Sequence, residues 1–117
     1  MPSINETNIY TYKATITSVY DGDTVTADID MGLNIWAHGE KLRLHRINTP
    51  EVRGDEREQG LISRDWLRQQ LMGKEVLIQT IKDKKGKYGR YLAEIYLEGV
   101  NMNDQLVTEG YAIYKTY

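Results

Sequence analysis

Apolar residues fall along this chain in short alternating runs separated by glycine-rich and acidic turns, with one longer stretch at helical spacing. From Tyr12 to Val19, Ala14, Ile16 and Val19 are interleaved with Lys13, Thr15, Thr17 and Ser18. That pattern, rich in β-branched side chains, predicts a strand. Asp21-Gly22-Asp23 reads as a turn, and Thr24 to Ile29 as a second strand with Val25, Ala27 and Ile29 on one face. Gly32 to Gly39 suits a hairpin connection into a third strand, Lys41 to Ile47, where Leu42, Leu44 and Arg46 alternate with Lys41, Arg43 and His45. Pro50, which has no N–H for a ladder, ends that run at Asn48-Thr49-Pro50.

The period then changes. Glu56 to Met72 predicts a helix, with Asp55 as N-cap, Glu58 as its capping-box partner and Gly73 as the stop. Its apolar stripe is Ile62, Trp66, Leu67, Leu71 and Met72. Two further strands follow, Glu75–Ile81 and Tyr91–Leu97, then a short helix from Asn103 to Glu109 that Gly110 terminates. Three strands, a helix, two strands and a helix suit a mainly β fold with α. The architecture expected is a five-stranded, partly open Greek-key barrel of the oligonucleotide-binding (OB) type, with one inserted helix and a short C-terminal helix. The domain is expected over residues 11–117, with Met1–Tyr10 as a flexible N-terminal segment.

Composition narrows the chemistry. A chain of 117 residues suits a single domain able to bury a core without cross-links. Cysteine is absent, which excludes disulfides, zinc–thiolate sites and cysteine nucleophiles together. Met1–Tyr10 has no apolar run of the signal-peptide kind, and no stretch approaches the ~20 apolar residues that cross a bilayer. The compartment is therefore left open. The formal net charge of −2 argues at first against a polyanionic partner, but distribution matters more than the sum. Lys41, Arg43, His45 and Arg46 cluster in one segment, and Lys82, Lys84, Lys85, Lys87 and Arg90 in another, whereas acids prevail between Glu51 and Asp65.

Three motifs carry candidate chemistry, and each also has a plain structural explanation. Asp21-Gly22-Asp23-Thr24 is a hairpin turn, or the place where Asp23 directs a carboxylate at a divalent cation. Asn48-Thr49-Pro50-Glu51 is a strand end, or a source of oxygen ligands from the Asn48 side chain and the Thr49 carbonyl with Glu51 as a carboxylate base. Lys87-Tyr88-Gly89-Arg90 is a solvated basic loop, or the place where a guanidinium grips phosphate through two parallel hydrogen bonds. Arg43 is an exposed strand residue, or a second phosphate clamp if its face looks into the groove holding Asp23 and Glu51.

Jointly the motifs say more. Phosphodiester hydrolysis needs a hard cation on oxygen ligands, a carboxylate to take the proton of the attacking water, and cationic donors for the charge of the five-coordinate transition state. Asp23, Glu51, Arg43 and Arg90 supply that set.

With these residues in place, the chain resembles the staphylococcal nuclease-like (thermonuclease) domain family. The matching stretches are Asp21-Gly22-Asp23-Thr24-Val25, Arg43 through Glu51, Lys87 through Ala93, and Asn103 through Val107 ahead of Gly110, in the same order and spacing. The resemblance implies a Ca²⁺-dependent endonuclease acting on DNA and RNA and leaving a 3′-phosphate, with nucleic acid as partner and no membrane. It implies one metal ion, held by Asp23, Asn48 and Thr49, with Asp21 as an outer acid. Glu51 would activate water, Arg43 and Arg90 would clamp the scissile phosphate, and Lys87 and Tyr88 would touch a neighbouring one. Two features depart from the family. Asn48 stands where the pattern commonly has Asp, which removes a negative charge and implies weaker metal binding. The family's base-stacking tyrosines do not align without a shift, leaving Tyr114 and Tyr117 as either base contacts or packing aromatics. Past the position of Tyr117 the family's prototype also has a third helix. A monomer is expected. The competing reading is a non-catalytic nucleic-acid- or protein-binding barrel whose metal site has decayed; the retention of Arg43, Glu51 and Arg90 together favours an enzyme.

Overall fold

The computed structural model of the chain describes residues 10–85 and 90–115. The expected N-terminal segment therefore lies outside the described residues except for Tyr10, as do Lys87, Tyr88 and Tyr117. Strands β1 (Thr11–Asp21), β2 (Thr24–Asp30) and β3 (Trp36–Leu44) form an antiparallel meander. After the two-residue β4 (Ile47–Asn48) and helix α1 (Arg57–Leu71), β5 (Glu75–Lys85) pairs antiparallel with β1 and with β6 (Tyr91–Leu97). Parallel pairing of β3 with β6, Leu42 opposite Tyr91 and Leu44 opposite Ala93, closes five strands into the OB-type barrel. Two-residue β7 (Val100–Asn101), helix α2 (Met102–Thr108) and two-residue β8 (Ile113–Tyr114) complete the chain.

The alternating apolar residues fill this barrel. Ala14, Ile16, Val19, Val25, Ala27, Leu42, Leu44, Ile78 and Ile95 are all buried. Ile16 and Val19 stand three apart, which breaks the two-residue period. A bulge resolves it: Ile16 faces Ala27, Ser18 faces Thr26, and the extra residue between them restores Val19 to the inner face. α1 caps one end of the barrel through Leu67 and Leu71. Its end is stapled to β1 by the Gly73 N–H on Ile16 O (2.9 Å) and the Ile16 N–H on Lys74 O (3.0 Å), with Gly73 at φ +74° as the expected stop.

Several elements differ from the sequence expectation. The third strand begins at Trp36, because Gly39 is a bulge inside it rather than its boundary; the Gly39 N–H is taken by Asp28 Oδ1 at 2.9 Å. That strand also stops at Leu44 instead of Ile47, since Arg46 adopts φ +69° and breaks the pleat before β4. α1 starts at Arg57 behind a 3₁₀ turn, Gly54–Glu56. Asp55 lies within that turn, so it is not the N-cap; Glu56 holds that position and makes no side-chain cap bond. The stripe of α1 is corrected too. Ile62 and Met72 are exposed, and small Gly60 and Ser63 take their place on the inner face. α2 is capped by Asn101, whose side chain accepts the Asp104 N–H at 3.0 Å.

Candidate active-site cleft

The β1–β2 turn and the chain leaving β4 meet at one end of the barrel. Asp21 ends β1 and Asp23 occupies the turn, so alternation brings both carboxylates inward; they are 7% and 6% exposed. Asp21 Oδ1 accepts the Asp23 N–H at 3.0 Å, an Asx-type bond that tightens the turn. Asp23 Oδ2 accepts the Thr49 N–H at 3.0 Å and lies 3.3 Å from Arg43 Nη2. Its Oδ1 accepts the Thr24 hydroxyl at 3.3 Å. One carboxylate thus ties together three separate segments of the chain.

Arg43 leaves β3 and is itself only 8% exposed. Its guanidinium donates to the carbonyls of Leu44 (2.7 Å) and Ile47 (3.1 Å) and to Asn48 Oδ1 (3.3 Å). A buried cation with this many acceptors is fixed in place rather than free to sample solvent. Arg90 enters from the start of β6, with Nη1 donating to Thr24 Oγ1 at 3.3 Å. Both arginines therefore reach the start of β2, Arg43 at Asp23 and Arg90 at Thr24.

Helix α1 supports the Glu51 side of the site from behind through its small residues. A Cβ on Gly60 would overlap the Glu51 carbonyl and come within 2.9 Å of the Pro50 oxygen, so only glycine lets the Pro50–Glu51 backbone lie on the helix. Likewise a Cβ on Gly22 would stand 2.8 Å from Thr49 Cγ2 and 2.9 Å from Ser63 Cβ. The Glu51 N–H donates to Glu56 Oε1 at 3.2 Å, which holds the Glu51 backbone from the helix side while its carboxylate stays exposed.

These pieces line a single cleft of about 740 Å³. Asp21, Asp23, Arg43, Asn48, Glu51 and Arg90, six residues singled out in the sequence, all border it. Thr49 sits just behind the wall, 4% exposed, with its Oγ1 unbonded among the described residues. Sequence reasoning did not single out Tyr20, Arg53 and Lys115 as cleft residues. For Arg53 a signal existed: it follows Glu51 by two positions in extended backbone. Nothing local marks Tyr20 or Lys115; Lys115 arrives because its N–H bonds Arg46 O at 2.8 Å next to the β4–β8 pairing.

The electrostatics of the cleft are unbalanced. Burial, then the hydrogen bond and the charge of the Asp23 carboxylate, push the Asp21 carboxyl up from 3.8 to about 7, against a partial pull downward from the Asp23 N–H and then from Arg43. A divalent cation beside two buried carboxylates relieves that repulsion, so the donor set fits a hard metal ion. It is a lean set: among the described residues no group of three or more acidic or imidazole side chains gathers around one point. Amide and backbone oxygens at Asn48 and Thr49 would have to complete it.

The basic cluster of the sequence divides. Arg43 turns into the cleft, while Arg46 crosses to the far side and pairs with Glu94 (2.7 Å) and Asp104 (3.0 Å). Tyr114 goes with it, its hydroxyl donating to Asp104 at 2.9 Å and its ring beneath Arg46, and it does not border the cleft.

A closed five-stranded barrel carrying paired buried carboxylates and two arginines at one end is the class defined by fold and cleft together. Comparison with known proteins agrees. The family model described as staphylococcal nuclease homologue matches residues 41–117, and the chain belongs to that family. It is 32% identical to a thermonuclease of Staphylococcus hyicus across 97% of this chain and 64% of that protein. A thermonuclease of Staphylococcus intermedius is 32% identical over 85% of this chain and 57% of its own length. An uncharacterized protein of Bacillus anthracis is 30% identical over 88% of the chain and 47% of its own length. The chain thus spans from about half to just under two thirds of these relatives. No helix among the described residues is long and apolar enough to cross a membrane.

Proposed function

We propose that this chain is a metal-dependent nuclease that hydrolyses phosphodiester bonds of DNA or RNA as a monomer and leaves 3′-phosphate ends. The observation that carries the reading is the convergence on one cleft of two buried carboxylates, an exposed third at Glu51, and the guanidinium groups of Arg43 and Arg90. The 32% identity to two thermonucleases supports the same reading. In it Asp23, Asn48 and the Thr49 carbonyl hold Ca²⁺, with Asp21 behind them. Bound there, the ion neutralises charge on the phosphate oxygens.

The residues of the chain do the remaining work. Glu51 takes a proton from the attacking water as the water oxygen bonds to phosphorus; the P–O5′ bond breaks, and O5′ takes a proton from solvent water to leave as a 5′-hydroxyl. Arg43 and Arg90 bind the non-bridging oxygens and stabilise the additional charge of the transition state. Arg43 is preorganised for this by its carbonyl partners, so little reorganisation accompanies the reaction. Lys87 and Tyr88 contact a neighbouring phosphate.

Cleavage of denatured DNA with millimolar Ca²⁺, with chelator, and by Glu51→Gln tests this. Cutting that requires both Ca²⁺ and Glu51 supports the nuclease. A folded protein that binds DNA but cuts nothing with any divalent ion is instead a non-catalytic barrel, with Asn48 as the first suspect.

A further inference from the structure

We propose that Tyr20 and Arg53 form a nucleotide subsite next to the cutting position, selecting single-stranded nucleic acid. An unpaired base stacks on the Tyr20 ring, and Arg53 holds an adjoining phosphate. The inference rests on the nuclease reading above and adds a substrate class to it.

Both residues border the cleft, and Tyr20 is the tyrosine that does so among the described residues. Along β1, Val19 and Asp21 turn inward, so Tyr20 stands on the outer face directly before the first carboxylate. Arg53 Nη2 donates to the Tyr20 hydroxyl at 2.7 Å. This bond satisfies the polar tip of the ring and fixes its orientation. The ring remains 52% exposed, and no aromatic ring stacks on it among the described residues. A tethered ring with an open face loses little freedom on binding, the property that makes tyrosine effective in recognition surfaces.

Arg53 is placed to serve the backbone of the same strand. It stands two residues after Glu51, just ahead of the 3₁₀ turn, and both side chains border the cleft. A phosphate at Arg53 is therefore the neighbour of the one facing Glu51, with the intervening base beside Tyr20. Bases within a duplex offer no free face for such stacking, whereas unpaired bases do.

The test compares a single-stranded oligonucleotide with one carrying an abasic position beside the cleaved bond, and with the matching duplex. Each is cut by the unaltered chain, Tyr20→Ala, Tyr20→Phe and Arg53→Gln. Tyr20→Ala is expected to raise KM roughly 10-fold on the intact single strand, with kcat held and little effect on the abasic strand. Tyr20→Phe keeps the distinction between intact and abasic strands. Arg53→Gln weakens both, the intact strand at least as much, and lowers the salt dependence by about one phosphate contact. Equal KM for Tyr20→Ala and the unaltered chain, or equal losses on intact and abasic strands, overturns the subsite while the nuclease stands. Should the unaltered chain cut nothing, the nuclease reading fails by itself, and fluorescence anisotropy on the same oligonucleotides decides the subsite. A base-dependent loss of affinity in Tyr20→Ala then supports it, and its absence overturns it. Both side chains are exposed, so melting temperatures near that of the unaltered chain are expected throughout.

Discussion

Arg43 and Arg46 lie three residues apart and anchor two polar clusters of very different character. Around Arg46 every charge meets its complement. Its Nε and Nη2 donate to the two oxygens of buried Glu94 (3.0 and 2.7 Å), Asn101 adds a third bond to Glu94 at 3.0 Å, and Asp104 is shared with Tyr114. Hydrogen bonding to Glu94 raises the Arg46 pKa, and the one to Asp104 raises that of Tyr114. Arg43 faces two carboxylates that crowd each other, and burial beside Asp23 drives Asp21 towards its neutral form. The first cluster is complete within the chain, and it fastens β8 and α2 to the barrel. The second leaves like charges facing one another, an arrangement that costs stability unless a cation joins it. Identical residue types thus serve as a clasp on one side and as a site on the other.

Breaking the site alone gives the largest expected effect. Glu51→Gln is expected to lower turnover by about 10²–10⁴-fold while oligonucleotide affinity and melting temperature hold, measured by single-turnover cleavage and anisotropy. Unchanged turnover would remove Glu51 from the chemistry. Gly60→Ala comes next: by pushing the Glu51 backbone off α1 it should cost up to about 10² in kcat, with a smaller change in KM. Kinetics indistinguishable from the unaltered chain would mean that the helix can shift freely beneath Glu51.

Arg46→Ala attacks the clasp. It strands the buried Glu94 carboxylate, and a loss of about 2 kcal/mol is expected, discounted from the buried-pair range because the Arg46 side chain is 41% exposed. Urea unfolding reads it, with kcat per folded molecule unchanged; a drop in kcat would show that clasp and cleft are coupled through β4.

The pH response separates the clusters more gently. Folding raises the Asp21 pKa from 3.8 to about 7, so the folded state holds a proton that the unfolded chain releases. That contribution is complete below pH 3.8 and is lost as pH climbs through about 7. The metal-free melting temperature should therefore decline across this window, and saturating Ca²⁺ should reverse the trend. An Asp21→Asn variant with the same profile would assign the decline to another group. The smallest effect expected is a several-fold tightening of Ca²⁺ in Asn48→Asp, since affinity follows ligand charge; calorimetry showing no change would place Asn48 outside the metal's reach.

Local pattern was enough for the barrel. Alternation at Val25, Ala27 and Ile29, and again at Leu42 and Leu44, specified inner faces because strand periodicity is a property of the backbone itself. Glycine stops at Gly73 and Gly110 were equally legible, since their positive φ is a local demand. Six cleft residues could be named from their chemistry and family spacing before their convergence was visible.

Tertiary structure decided the rest. The inner face of α1 was read only in part from hydrophobicity: Leu67 and Leu71 are buried as expected, but Gly60 and Ser63 serve the closeness of the Glu51 backbone and the Gly22 turn rather than apolar area. For Arg43 the sequence left two readings, exposed strand residue or cleft arginine; its burial depends on acceptors at Leu44, Ile47 and Asn48 brought together where Arg46 turns left-handed. Tyr20 and Arg53, 33 positions apart, acquire meaning only as a hydrogen-bonded pair. Sequence by itself determined which residues could form strands, turns and ligands, since those are preferences of single residues and near neighbours. Which of them share a cleft, and which neutralise one another outside it, depends on long-range closure that no local window contains.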